Sequence, residues 1–230
     1  MRALKALSAL LSYPTSDLVE ALPEIHAVIA MEGRIGRADR LHLAALIQDI
    51  AAADLLEAQE QYVDLFDRGR ATSLNLYEHV HGDSRDRGQA MVDLGQVYAR
   101  GGLALATHEL PDYLPVLLEY LSTRPTGEVE QMLRDCAHLL RSIGEALARR
   151  GSLHAAVPGT LLSIAGEPAL EAIAGNASAA DEEPSIDEEW AEEPVLFGFA
   201  GASQPRGMGC GDARADAGSA KPIRFVRNAA

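Results

Sequence analysis

Residues 77–94, YEHVHGDSRDRGQAMVDL, gather two histidines, four carboxylates and two arginines into eighteen positions. Such a string could hold a metal: His79 and His81, with Glu78 and Asp83, offer nitrogen and oxygen ligands of the kind transition metals accept. The spacing limits that chemistry. An H-x-H pair converges only in an extended segment, because positions i and i+2 diverge on a helix, so further ligands must come from elsewhere. His26, His42, His108, His138 and His154 stand singly, with no H-x-x-x-H or H-E-x-x-H among them. A small metal-dependent enzyme using His79 and His81 is the lesser reading. Nucleophilic chemistry has less support: there is no G-x-S-x-G, and Cys136 and Cys210 form neither a C-x-x-C nor a zinc or iron–sulfur set. No cofactor is expected.

The same residues serve as structure. Gly82 turns the chain, Asp83 and Ser84 cap the next helix, and Arg85, Asp86 and Arg87 begin its polar side. A Glu–Arg or His–Asp network around Glu78 and His79, pinned against the preceding long helix, is the physical expectation. Such a network fixes one arrangement more than it adds stability.

The elements that must position these groups are helices. Helical periodicity runs through most of residues 1–165. An opening amphipathic helix turns Leu4, Leu7, Leu10 and Leu11 inward and ends at Pro14. Thr15 or Ser16 caps a second, whose face is Leu18, Leu22, Ile25, Val28 and Ile29, and Pro23 kinks or breaks it. Residues 37–66 read as one long helix ending in YVDLF, where Tyr62, Leu65 and Phe66 share an apolar patch that by itself suits a core. A helix over 84–100 buries Met91, Leu94, Val97 and Tyr98. In LPDYLPVLLEYLS, Pro111 suits a first helical position, with Leu114, Leu117, Leu118 and Leu121 inward. The clearest helix spans 127–150, capped by Thr126 and stopped by Gly151, and a short one is predicted at 154–164.

Composition agrees. Of the 230 residues 47% are hydrophobic but only 5% aromatic, so Leu and Ala must fill the core, and no alternating strand-like runs appear. The fold class is all-α: a single globular helical-bundle domain over 1–170, followed over 171–230 by an acidic, largely disordered tail. Residues 151–205 contain no Lys or Arg, and DEEPSIDEEWAEE alone carries eight acids. Two apolar islands interrupt the tail, WAEEPVLFGF and KPIRFVR, which suit docking on the domain or on a partner. A net charge of -14 disfavours nucleic acid and favours a basic or apolar partner. No stretch approaches the roughly 20 apolar residues of a membrane span, so the expectation is a cytoplasmic protein without membrane insertion.

YVDLFDRGRATSLNLYEHVHGDSRDRGQAMVDL, followed by ELPDYLPVLLEYLS, closely resembles the NarJ-like nitrate reductase assembly chaperones, a branch of the redox-enzyme maturation chaperones. The resemblance covers roughly residues 1–165 and extends to WAEEPVLFG. The family's aromatic-x-x-Leu-Phe patch matches Tyr62, Leu65 and Phe66; its acidic loop residue matches Glu78, and its Pro-Asp pair matches Pro111 and Asp112. Tyr113 departs from the family, which often has His there.

The resemblance implies a non-enzymatic all-helical chaperone. It would bind the N-terminal segment of the apo catalytic (alpha) subunit of respiratory nitrate reductase, assist molybdenum cofactor and iron–sulfur insertion, and delay membrane docking. Cofactor-insertion proteins are further partners it suggests, and a different molybdenum oxidoreductase is the alternative client. The expected site is a groove in which a client helix lies beside Tyr62, Leu65 and Phe66, helped by Leu114, Leu117 and Tyr120. Glu78, Glu109, Asp112 and Glu119 would form an acidic rim, with His79, His81, Asp83, Arg85 and Pro111 shaping the wall.

Overall fold

A computed structural model describes residues 1–81, 85–105 and 109–170, without the side chains of His81 and Arg85. The expected tail over 171–230 and the Asp83 or Ser84 cap lie outside these residues. Among the described residues there are ten α-helices and no strands, as the Leu-rich periodicity predicts. They are α1 (Arg2–Leu10), α2 (Ser16–Met31), α3 (Arg37–Ala52), α4 (Leu55–Tyr62), α5 (Leu76–His81), α6 (Arg85–Arg100), α7 (Leu114–Ser122), α8 (Thr126–Asp135), α9 (Ala137–Arg149) and α10 (Ala156–Ala165).

The core is largely leucine. Leu4, Leu7, Leu10, Leu11, Leu43, Leu46, Leu114, Leu118, Leu121 and Leu133 are all sealed from solvent. Burial of each such side chain is worth about 1.5 to 3 kcal/mol relative to exposure. The arrangement is set by long-range pairing: α1 lies along α7, α2 bridges α1 and α3, and α10 packs on α9, α8 and α3. Two hydrogen bonds fix the α1–α7 register. The Met1 amino group donates to the Ser122 carbonyl at 2.7 Å, and the buried Ser8 Oγ donates to the Pro115 carbonyl at 2.8 Å. The two helices therefore run antiparallel.

Several boundaries depart from the sequence-based expectation. Residues 37–66 do not form one helix: the chain is extended at Ala53, and the Asp54 carboxylate restarts it by accepting from the Leu56 N–H at 2.9 Å. The last turn, Val63–Asp67, is a π-helix closed by Arg68 N–H to the Val63 carbonyl at 3.1 Å. The helix expected over 127–150 is interrupted at Cys136, whose φ of -93° and ψ of 3° lie outside the helical well. One interrupting residue keeps Val129 and Leu133 in phase with Leu140, Ile143 and Leu147, all fully buried. Thr126 is the first residue of α8 and not its cap. Pro23, by contrast, sits inside a continuous α2. Pro111 lies outside α7, because Asp112 and Tyr113 are occupied by an antiparallel bridge in which Tyr113 pairs with Asn75. Helix stops match expectation: Gly151 takes a φ of 66°, and Ser152 N–H reaches back to the Leu147 carbonyl at 3.0 Å.

Candidate functional site

The bridge organises the signature residues. Leu114 N–H donates to the Leu74 carbonyl at 2.8 Å and Leu76 N–H to the Asp112 carbonyl at 3.1 Å, clamping the entry of α7 to the entry of α5. Asp112, fully buried, accepts the Tyr77 N–H on Oδ2 at 2.9 Å, while Oδ1 has no hydrogen-bond partner. Burial raises the pKa of this carboxyl above the usual range, opposed by the Tyr77 N–H and by the Arg87 charge. Glu78 accepts from Ser73 Oγ at 2.5 Å and pairs with Arg87 at 3.1 Å; both side chains are about a quarter exposed. His79 Nε2 lies 2.9 Å from the Ser73 carbonyl.

A Glu–Arg pair of the expected kind is present as Glu78–Arg87, but it is partly exposed and joins α5 to α6 and to Ser73, where the expectation was a buried network against the preceding long helix. Positions 79 and 81 fall on helical α5, where i and i+2 diverge. No group of three or more metal-ligating side chains converges among the described residues, which do not include the side chains of His81 and Asp83.

The aromatic patch faces inward. Tyr62 and Phe66 are 6% and 5% exposed, and their rings meet at 4.8 Å between centroids, with Tyr13 edge-on to Tyr62 and His154 edge-on to Phe66. The Tyr62 hydroxyl donates to the Leu11 carbonyl at 3.0 Å and shares a 2.8 Å hydrogen bond with Tyr113 Oη. Burial raises the pKa of Tyr62 and Tyr113, and lowers that of half-buried His154 to about 4. Leu114 and Leu117 are likewise core residues, at 1% and 2% exposure, and Leu65 is partly buried. The groove expected beside Tyr62, Leu65, Phe66, Leu114 and Leu117 is therefore filled by the protein's own packing. The reason is that α7 lies along α1, while Tyr62 meets Leu11 and Tyr13 and Phe66 meets His154.

An open groove lies on the other side of α7. It holds about 550 Å³ and runs between α1, α7 and the chain after α6. Its apolar lining comes from Tyr98, Leu103, Leu105, Tyr113, Val116 and Tyr120, and its polar lining from Lys5, Ser8, Ser12, Glu109, Glu119 and Thr123. Tyr98 packs on Tyr120 with the rings tilted and their centroids 4.8 Å apart, and its hydroxyl donates to the Pro111 carbonyl at 2.7 Å, so the Pro-Asp-Tyr segment divides groove from polar clamp. Of the expected site residues, Tyr120, Glu109 and Glu119 line this groove. Glu78, His79 and Asp112 form the clamp behind it, joined by the Pro111 carbonyl. His81, Asp83 and Arg85 side chains lie outside the described residues.

Tyr98 is buried, as the sequence predicts, while Tyr113, Val116, Leu103 and Leu105 were missed as lining. A ring with a polar tip suits a partly exposed apolar wall, and that is the signal Tyr113 carried. Chemically the groove can take an amphipathic segment, with apolar side chains against Leu103, Leu105, Tyr113 and Val116 and polar ones at the hydroxyl and carboxylate edges.

Comparison with known proteins reaches the same region. Residues 32–155 match the family described as nitrate reductase delta subunit. The chain is 42% identical over 218 residues to the nitrate reductase molybdenum cofactor assembly chaperone NarJ of Escherichia coli (strain K12), covering 92% of this chain and 89% of that protein. It is 38% identical over 201 residues to the probable nitrate reductase molybdenum cofactor assembly chaperone NarW of the same strain, 86% of this chain and 84% of that one. The probable chaperone NarJ of Bacillus subtilis (strain 168) is 29% identical over 158 residues, 69% of this chain and 85% of its own length.

Proposed function

Because this chain belongs to the nitrate reductase delta subunit family, with molybdenum cofactor assembly chaperones as relatives, we propose that its α1–α7 groove holds the N-terminal segment of an apo nitrate reductase catalytic subunit. The chain is a system-specific chaperone of nitrate reductase maturation and not an enzyme. While the groove is occupied, the client's metal-binding regions stay free for iron–sulfur and molybdenum cofactor insertion, with insertion proteins reaching the client directly and membrane docking delayed. No described helix is long and apolar enough to cross a membrane, and we place the work in the cytoplasm.

The observation that supports this reading is the groove itself: Leu103, Leu105, Tyr113 and Val116 are at least partly exposed along it above the buried rings of Tyr98 and Tyr120, and hydroxyls and carboxylates edge it. Calorimetry with a peptide from the N-terminus of a respiratory nitrate reductase catalytic subunit tests it. Saturable binding is expected, and Val116→Glu, which puts a charge on the floor, should weaken it at least about tenfold with the helical spectrum intact. Leu117→Ala, one residue along but in the core, should instead cost about 2 to 5 kcal/mol of stability and leave affinity unchanged under folded conditions. Equal binding by Val116→Glu and wild type would place the client elsewhere.

A further inference from the structure

We propose that Tyr62, which does not itself line the groove, is a positioning residue for the client: it holds one ring from each wall, Tyr13 and Tyr113, so that this end of the groove is formed before a client enters. This rests on the preceding reading, that a client N-terminal segment occupies the groove.

The two rings belong to different walls. The chain leaves α1 through Ser12 and Tyr13, and it enters α7 from Tyr113; all three residues line the groove, at the end where Tyr113 Oη comes within 3.5 Å of the Leu11 carbonyl. Tyr62 closes α4 and adds nothing to the lining, yet both walls rest on it. Its ring meets Tyr13 edge-on at 5.5 Å between centroids and is backed by Phe66 at 4.8 Å. Its hydroxyl donates to the Leu11 carbonyl at 3.0 Å, and with that hydrogen committed Tyr113 is the donor of the 2.8 Å bond between the two hydroxyls. The relay therefore runs from Tyr113 through Tyr62 to the C-cap of α1, whose carbonyl lies beyond that helix's own hydrogen bonding.

Helix α4 grips the same wall at a second point. Gln59, three residues before Tyr62 and on the same helix face, donates from Nε2 to the Pro14 carbonyl at 2.9 Å. The carbonyls of Leu11 and Pro14 flank Tyr13, so this ring, 45% exposed, is carried on a segment fastened on both sides. On the opposite wall the Tyr113 backbone is set by its bridge to Asn75 and by its N–H, which donates to the Leu110 carbonyl at 3.1 Å. What remains free there is a side chain with two torsions, and the bond to Tyr62 fixes them.

Preformed walls matter because binding must otherwise order them, at a cost of roughly two- to tenfold in affinity for each side chain immobilised. A core residue can thus govern affinity without touching the client. Tyr62→Phe keeps a ring between Tyr13 and Phe66 but removes the middle hydroxyl of the relay. Tyr113 then turns toward the Leu11 carbonyl or swings free, and either movement shifts its ring in the groove.

Calorimetry on the full chain, with the catalytic-subunit N-terminal peptide as probe, tests this as a double-mutant cycle. Tyr62→Phe and Tyr113→Phe are each expected to weaken binding roughly two- to tenfold, and the double variant to bind no more weakly than the poorer single one. Lost stability alone does not give that pattern: Leu117→Ala, less stable but folded, should bind as wild type does. Additive losses, or a loss confined to one single variant, overturn the relay, because the two tyrosines then act separately. Unchanged binding in both also overturns it, with the groove still occupied. No saturable binding by wild type, or full binding by Val116→Glu, removes the groove reading and this one with it. A second measurement needs no variant to fold. With carbon-13 in the tyrosine rings of the unaltered chain, nuclear Overhauser contacts from Tyr62 to Tyr13 and to Tyr113 are expected both before and after the peptide is added. Their absence from the free chain overturns the preformed end.

Discussion

His154 and Asp112 are buried to opposite effect, and the contrast can be measured. Burial against Phe66 lowers the His154 pKa from 6.5 to about 4, so the folded chain resists a proton that the unfolded chain accepts. Its stability contribution is therefore full above pH 6.5 and is lost as pH falls toward 4, by about 1 to 3 kcal/mol. Asp112 has the reverse sign: its raised pKa makes the fold hold a proton that the unfolded chain has released, so its cost grows as pH rises past 3.8. Urea midpoints taken between pH 4 and pH 7 should show this. His154→Leu should flatten the loss on the acid side, and Asp112→Asn should remove the penalty on the neutral side. If both variants track the wild-type curve, these two groups do not govern the pH response.

Gly101 illustrates what pairs of elements decide. A β-carbon there would lie 2.7 Å from Tyr120 Cε2 and 3.2 Å from both Arg124 Nη1 and the Tyr98 carbonyl, so the end of α6 reaches α7 only because the residue is glycine. Gly101→Ala should cost about 1 to 3 kcal/mol in thermal or urea unfolding and, by displacing Tyr120 in the groove floor, weaken client peptide several-fold. Gly95→Ala in α6, with nothing within 4 Å of the added carbon, should be neutral or stabilising by up to about 1 kcal/mol. At this scale helices were legible in the sequence, since Leu recurs on one face through Leu4, Leu7 and Leu10 and again through Leu114, Leu117, Leu118 and Leu121. Their interruptions were not. The stop at Cys136 leaves the apolar faces of α8 and α9 in phase, and the Asp54 cap hides in an Ala-rich run that favours helix on both sides. Groove and core could not be separated either. Tyr62 and Tyr113 hydrogen-bond to each other, yet one is packed in the interior and the other lines an open wall, a difference set by α1 lying across them.

Across the whole molecule, charge was legible and its placement was not. The net charge of -14 pointed to a basic or apolar partner, whereas the charges that line the groove are mixed, Lys5 together with Glu109 and Glu119. Stopped-flow association of a basic client peptide should slow as salt rises past about 0.15 M, with dissociation changing less. A salt-independent association rate would assign recognition to apolar contact alone. The pairing of α1 with α7 has a further consequence, for the chain as it is synthesised. Leu4, Leu7 and Leu10 are sealed by a helix that starts more than a hundred residues later, at Leu114. At about 5 to 20 residues per second, this apolar face spends several seconds on the ribosome without its native cover. The walls of the groove meet only when α7 has emerged, so a nascent chaperone cannot engage its client until more than half of its own sequence has been translated.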